Sequence, residues 1–266
     1  MPQDQMTKTP QVSSLVMVIA VAVIAYAADD TVHELIGHGS ADWFLGIKPL
    51  SISTVALQSV GSSRWAAAAG ALANMIAGIA AYIFFVRTHG FGPWRYLLWL
   101  FGFVNLMNGT GYLVASALLN TGDWAVVIAG WTPAWIWRAG MAMTGAVLVV
   151  VSVRWAAALM RGLVASGAVA LKDVVRLCVP AYITGGLLFV AAAALNRITP
   201  GSIFVSGAGP SFGLTFGLLL MPRLAAGVEE EGTRAQPLQM HWGWMTLAMV
   251  AGAVFIGIFG PGVRLP

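Results

Sequence analysis

The stretch "DDTVHELIGHG", residues 29–39, gathers Asp29, Asp30, Glu34, His33 and His38 into eleven positions. Imidazole and carboxylate together are the donor set of zinc or iron. Spacing decides which of them can act together. His33 and His38 are five residues apart, which in an ideal helix is about 140° around the axis, so a regular helix would not turn both to one ion. A π-bulge, whose i to i+5 hydrogen bond realigns such a pair, or a helix end at Gly37 with His38 as a cap residue, would bring them together. A regular helix favours another set: Asp30, Glu34 and His38 stand at i, i+4 and i+8 on one face. In a third reading these groups only hydrogen-bond one another and line a polar cavity.

The elements that must carry this cluster are set by composition. The chain of 266 residues is 59% hydrophobic and 9% charged, with a mean hydropathy of +0.82, well outside soluble usage. Apolar runs of bilayer-crossing length fall near Val12–Ala28, Trp65–Val86, Tyr96–Leu118, Ala139–Met160, Val174–Leu195, Ser202–Met221 and Trp242–Gly260. The expectation is an all-α polytopic membrane protein with six or seven transmembrane helices. Lys8, a short apolar stretch and Ala25-Tyr26-Ala27 resemble a signal peptide. Asp4 offsets Lys8, however, and the run leads straight into the polar motif, so the first span is expected to be retained. "SISTVALQSV", between the first two spans, reads as a short strand, a re-entrant piece or a loop. "RTHGFGPWR" is a tight turn. Trp131, Trp135 and Trp137 read as an interfacial belt, "RGLVASGAVALKDVVR" as an amphipathic surface helix, and "EEEGTRAQP" as a solvated loop.

The net charge of +4 comes from arginines at the ends of apolar runs, so the expected partners are lipid head groups, with no nucleic acid. Five acidic residues, Asp29, Asp30, Glu34, Asp42 and Asp123, lie close to apolar runs in the first half. An intramembrane carboxylate is expensive and is usually functional or paired. Asn105 and Asn108 read as helix-packing residues or as site lining. His89 and His241 fall at interfaces, and Cys178 reads as a small buried residue.

"VHELIGHGSADWFLG" resembles the active-site helix of the site-2 protease family of intramembrane zinc metalloproteases. "AAGALANMIAG" resembles that family's following Gly-x-x-x-Asn helix, and "NLMNGTGYLVASALLNTGDW" stands where the family supplies a third zinc ligand. The likeness covers residues 12 to 130; residues 1–130 are expected to form a membrane core that carries the metal site, with 131–266 as additional transmembrane helices. It makes His33 and His38 zinc ligands, Glu34 the general base, Asp123 the third ligand, and Asn74, after Gly70, a substrate-binding residue. Two differences stand out: the extra residue between the histidines, and Gly122-Asp123-Trp124 in place of Asp-Gly. Asp123, flanked by Gly and apolar residues, needs a partner, and Arg138 is the competitor that would satisfy it without metal.

The resemblance implies a zinc-dependent intramembrane protease acting on membrane-embedded substrate proteins, with Zn2+ as cofactor. The alternatives are a non-catalytic membrane protein (a pseudoprotease, chaperone or assembly factor) or a transporter with a polar, metal-binding core. With seven spans, nine Lys and Arg fall on the amino-terminal side and five on the other, so the amino terminus is expected to be cytoplasmic.

Overall fold

The computed structural model describes residues 13–61, 63–199, 203–228 and 237–266. Lys8, the amino-terminal segment and most of "EEEGTRAQP" lie outside the described residues. Among the described residues, seven helices are long and apolar enough to cross a membrane: Leu15–Leu45, Arg64–Arg87, Pro93–Leu119, Ala134–Ala165, Leu171–Ala194, Ile203–Ala225 and Trp242–Phe259. They are called the first to seventh spans below. Their starts carry ordinary helix signals. Ser14 Oγ accepts the Met17 N–H, Ser63 Oγ accepts that of Trp65, and Pro93 opens the third span with its fixed φ.

The third span runs at the centre of the bundle. Trp99 and Phe103 are fully buried there with their rings stacked. Its polar atoms find backbone acceptors, as a chain without water requires: Tyr96 Oη donates to Leu177 O at 2.6 Å and Trp99 Nε1 to Ala156 O at 3.0 Å. Large apolar side chains such as Ile76, Phe84, Met143 and Met249 face outward, towards lipid.

Between the first two spans the chain forms an antiparallel hairpin of β1 (Pro49–Ile52) and β2 (Leu57–Ser59). A third strand, β3 (Val263–Arg264), comes from the carboxyl-terminal end and pairs with β1, Ser51 opposite Arg264 and Ile52 opposite Val263. The sheet order is β2-β1-β3. This pairing fixes a parity: the chain just after the first span and just after the seventh lie on one face, so an even number of spans separates them. At the other end Ser13, Asp173 and Leu238, at the starts of the first, fifth and seventh spans, are hydrogen-bonded together. Both observations agree with seven crossings.

One expected element is absent. "RGLVASGAVALKDVVR" is not a separate surface helix. The fourth span runs to Ala165, Gly167 turns the chain at φ +66°, and the fifth span starts at Leu171. The left-handed conformation, open to glycine without steric penalty, divides the stretch.

Candidate metal centre

The first span changes its winding where the motif lies. It is α-helical over Leu15–Thr31, π-helical over Val32–Gly39 and α-helical again over Ser40–Leu45. In a π-helix the i to i+5 bond stacks residues five apart. His33 and His38 accordingly meet, with Nε2 atoms 3.2 Å apart and ring planes at 83°. Hydroxyl groups cover carbonyls near both changes of winding: Thr31 Oγ1 donates to Ala27 O at 2.8 Å, and Ser40 Oγ donates to Ile36 O and, at 3.3 Å, to Gly37 O.

Small residues allow the second span to approach. A Cβ on Gly37 would lie 2.5 Å from Gly70 Cα, and a Cβ on Gly70 would lie 2.5 Å from His38 Nε2 and 2.7 Å from His33 Nε2. The two glycines therefore set the distance between the spans, and Gly70 forms the floor beneath both imidazoles.

Asp123 comes from the far end of the third span. That span ends with Asn120 in the left-handed region (φ 54°), and Gly122 follows at φ 79°. The chain doubles back into the short helix Asp123–Val127, whose first residue returns over the histidines. Asp123 Oδ2 lies 3.0 Å from His33 Nε2 and 3.4 Å from His38 Nε2. Burial works against the ionised form, but the hydrogen bonds and charges of His33 and His38 outweigh it and hold the Asp123 carboxyl well below the usual carboxylate range. Arg138 is engaged elsewhere: it donates to Ala117 O at 2.7 Å and Leu118 O at 3.0 Å, closing the carboxyl end of the third span.

The outer nitrogens determine the chemistry of the inner ones. His33 Nδ1 faces Asn74 Oδ1 at 2.9 Å and His38 Nδ1 faces Ala66 O at 2.7 Å. Asn74 cannot turn round, because its Nδ2 donates to Asp29 Oδ1 at 2.6 Å, to Asn105 Oδ1 at 3.2 Å and to Asp29 O at 3.3 Å. Both Nδ1 atoms are thus N–H donors, and in the neutral form of each ring the lone pair lies on Nε2. Two nitrogen lone pairs and a carboxylate oxygen then converge within 3.4 Å of one another. Three acceptors at this range repel unless a cation lies among them, either a metal or a proton on one ring. Tetrahedral ligands with bonds of about 2.0–2.1 Å stand about 3.3–3.4 Å apart, close to the 3.0, 3.2 and 3.4 Å found here.

Among the described residues, His33, His38 and Asp123 form the group whose ligand atoms all lie within 4.8 Å of one another. Asp30 and Glu34 are not in it, since the π-helix takes His38 out of the column the three would share in a regular helix. Glu34 is 7% exposed and its Oε2 accepts the Leu57 N–H from β2 at 2.6 Å. With His33, His38 and Asp123 it lines an outer cavity of about 190 Å³, bordered by Asp42, Leu57 and Tyr112. Asn74, which the family likeness associates with substrate, is fully buried and lines a smaller inner cavity instead.

Sequence reasoning missed the Leu57 N–H and the Ala66 carbonyl, which are backbone groups without a side-chain signature. It also missed the part of Asp29, whose carboxylate holds Asn74 and accepts a further hydrogen bond from Asn108 Nδ2. Three polar residues facing one another across apolar spans were the available signal. Compared with protein-family models, curated proteins and solved structures, the chain gives no match.

Proposed function

We propose that the chain is a zinc-dependent intramembrane hydrolase that cuts peptide bonds of membrane-embedded substrates. One observation carries this reading: the convergence of His33 Nε2, His38 Nε2 and Asp123 Oδ2, with Glu34 beside them on the same cavity. Two imidazoles and one carboxylate are a donor set that leaves a position open for water. Zinc bound there supplies Lewis-acid activation of water and polarisation of a carbonyl.

The rest is the work of the chain's own residues. Asn74 and Ala66 O hold the two rings in the tautomer whose Nε2 is free. Glu34 takes the proton from the attacking water. The Leu57 N–H anchors Glu34 Oε2, while Oε1 bonds to no described residue and is free to receive that proton. The spans exclude bulk water on the bundle side, and the outer cavity admits it from one end.

We also place the amino terminus in the cytoplasm, on the excess of Lys and Arg on that side. His33 lies 18 residues beyond Leu15, roughly 27 Å along a helix rising 1.5 Å per residue, against a hydrocarbon core of about 30 Å. The site then sits near the non-cytoplasmic boundary. A reporter fused after Pro266 should be active only outside the cytoplasm.

The test is metal content together with cleavage. Purified protein should hold about one zinc per chain and cut a model transmembrane peptide. Glu34→Gln should keep the zinc and lose about 10²–10⁴-fold in rate, the usual worth of a positioned general base. Protein that binds no zinc overturns the proposal. Zinc-loaded protein that cuts no membrane peptide favours the non-catalytic or transport reading.

A further inference from the structure

Next to the outer cavity, and sharing His33, Glu34, Val55 and Tyr112 with it, lies a second cavity of about 30 Å³. Its wall carries Asp29, Asp30 and Glu34, together with Thr54 and Asn108. Asn108 is 5% exposed and Thr54 3%. Asn108 gives its Nδ2–H to Asp29, and this fixes its orientation, because the flipped amide would set an oxygen against a carboxylate. Its Oδ1 is left buried without a partner, as is Thr54 Oγ1. Leaving such buried atoms without a partner costs their desolvation with nothing to offset it.

The charge has a matching deficit. Among the described residues the ion pairs are those of Asp123 with the two histidines, so no lysine or arginine compensates Asp29 or Asp30. Tyr112 and Ser206 also line this wall, yet no described group bonds to Asn108 Oδ1 or Thr54 Oγ1. Buried oxygens without partners, beside carboxylates that no described lysine or arginine pairs with, suit a cation held by oxygen.

The donors and the volume narrow its class. The groups left unmatched here, Asn108 Oδ1, Thr54 Oγ1 and the Asp30 carboxylate, offer oxygen alone, which favours a hard cation over zinc, although His33 also lines the wall. Since one water needs at least about 10–15 Å³, the space holds little more than one or two water-sized bodies. Magnesium, which keeps several waters, and calcium, which takes six to eight ligands, need more room and more ligands. We propose that the inner cavity binds a sodium-sized monovalent cation through the Asp30 carboxylate, Asn108 Oδ1 and Thr54 Oγ1, with Asp29 adding charge from behind its amide partners. This site does not depend on the zinc centre or on proteolysis. Glu34 walls both cavities, so a cation bound here faces the proton-accepting group of the outer one.

The experiment uses the full chain in detergent. Binding of ²²Na⁺ is measured directly, thermal unfolding is compared in sodium chloride and N-methylglucamine chloride at equal ionic strength, and zinc content is recorded in parallel. Wild type should bind about one sodium per chain and unfold at a higher temperature in sodium, saturably. Asp30→Asn should weaken sodium binding at least tenfold with zinc content unchanged. Thr54→Val, which keeps the side-chain shape, should weaken it several-fold and serves if the first variant does not fold. Wild type that binds no ²²Na⁺ and unfolds alike in both salts overturns the proposal, as does undiminished sodium binding in either folded variant. Loss of zinc binding with sodium binding intact would sink the zinc reading and leave this one standing.

Discussion

Replacing Gly70 by alanine adds one methyl group directly beneath the two imidazoles. Its carbon would stand 2.5 Å from His38 Nε2, 2.7 Å from His33 Nε2 and 2.8 Å from His38 Cε1. Non-bonded heavy atoms settle at about 3.5–4.0 Å, so both rings must retreat by nearly 1 Å, or the spans must separate by as much. Separation would carry the whole π-helix away from Asp123, because Gly37 already rests on the Gly70 backbone. Metal–ligand distances tolerate about 0.2 Å. Either response should therefore weaken zinc binding at least 100-fold, or about 2.8 kcal/mol at 1.4 kcal/mol per decade. The assay is zinc content by mass spectrometry after dialysis against graded chelator, with circular dichroism and gel filtration to confirm the fold. Gly140→Ala is the control, since a Cβ there meets nothing within 4 Å. Folded Gly70→Ala protein that keeps one zinc at wild-type affinity would refute the geometric reasoning and remove His33 and His38 as a ligand pair.

Two other substitutions probe the supports. Asn74→Leu removes the acceptor of His33 Nδ1 and one donor to Asp29; zinc affinity should fall about 10–100-fold, as for other groups that orient metal ligands, and unchanged affinity would deny it that role. Deleting residues 263–266 removes β3 and the bond from Leu265 N to Leu50 O at 2.7 Å. The hairpin that presents Leu57 N–H to Glu34 should loosen, lowering peptide-cleavage rate while zinc content stays; equal rates in the truncated and full chains would show that β3 does not steady Glu34.

The spans were legible because hydropathy is read residue by residue, and all seven runs recur as helices. The first was drawn too short. Val12–Ala28 stops where Asp29 and Asp30 depress the hydropathy, whereas the helix continues to Leu45 with those residues turned into the bundle. The π-helix was readable as one of two ways to bring His33 and His38 together. The hairpin was half legible, because "SISTVALQSV" alternates imperfectly and its third strand lies more than 200 residues away. Charged residues at both ends, Arg161 and Lys172 to Arg176, gave this stretch the look of an amphipathic helix, and one left-handed glycine at 167 undid it. Nothing local announces that Gly70 lies under both imidazoles or that Thr54 and Asn108 share a cavity, since these are facts of packing between spans.

The five acidic residues of the first half show how so much charge persists in an apolar bundle. An ionised carboxylate in the membrane needs a partner, and four of the five have one. Asp29 accepts from Asn74 and Asn108, Glu34 from the Leu57 N–H, Asp42 from Ser59, and Asp123 faces the two histidines. Each partner lies on a different element from its carboxylate, so the same contacts that satisfy the charges pin the first, second and third spans and the hairpin to one another. Asp30 is the exception, on the wall of a cavity whose Thr54 and Asn108 oxygens are also unmatched. The second half of the chain closes that cavity with Phe189, Ser206 and Pro210, and Thr215 bonds to Tyr26 at 2.8 Å. A fold that partners four carboxylates and sets the fifth beside other unmatched oxygens has one charge left to balance, and the proposed cation balances it where no described side chain does.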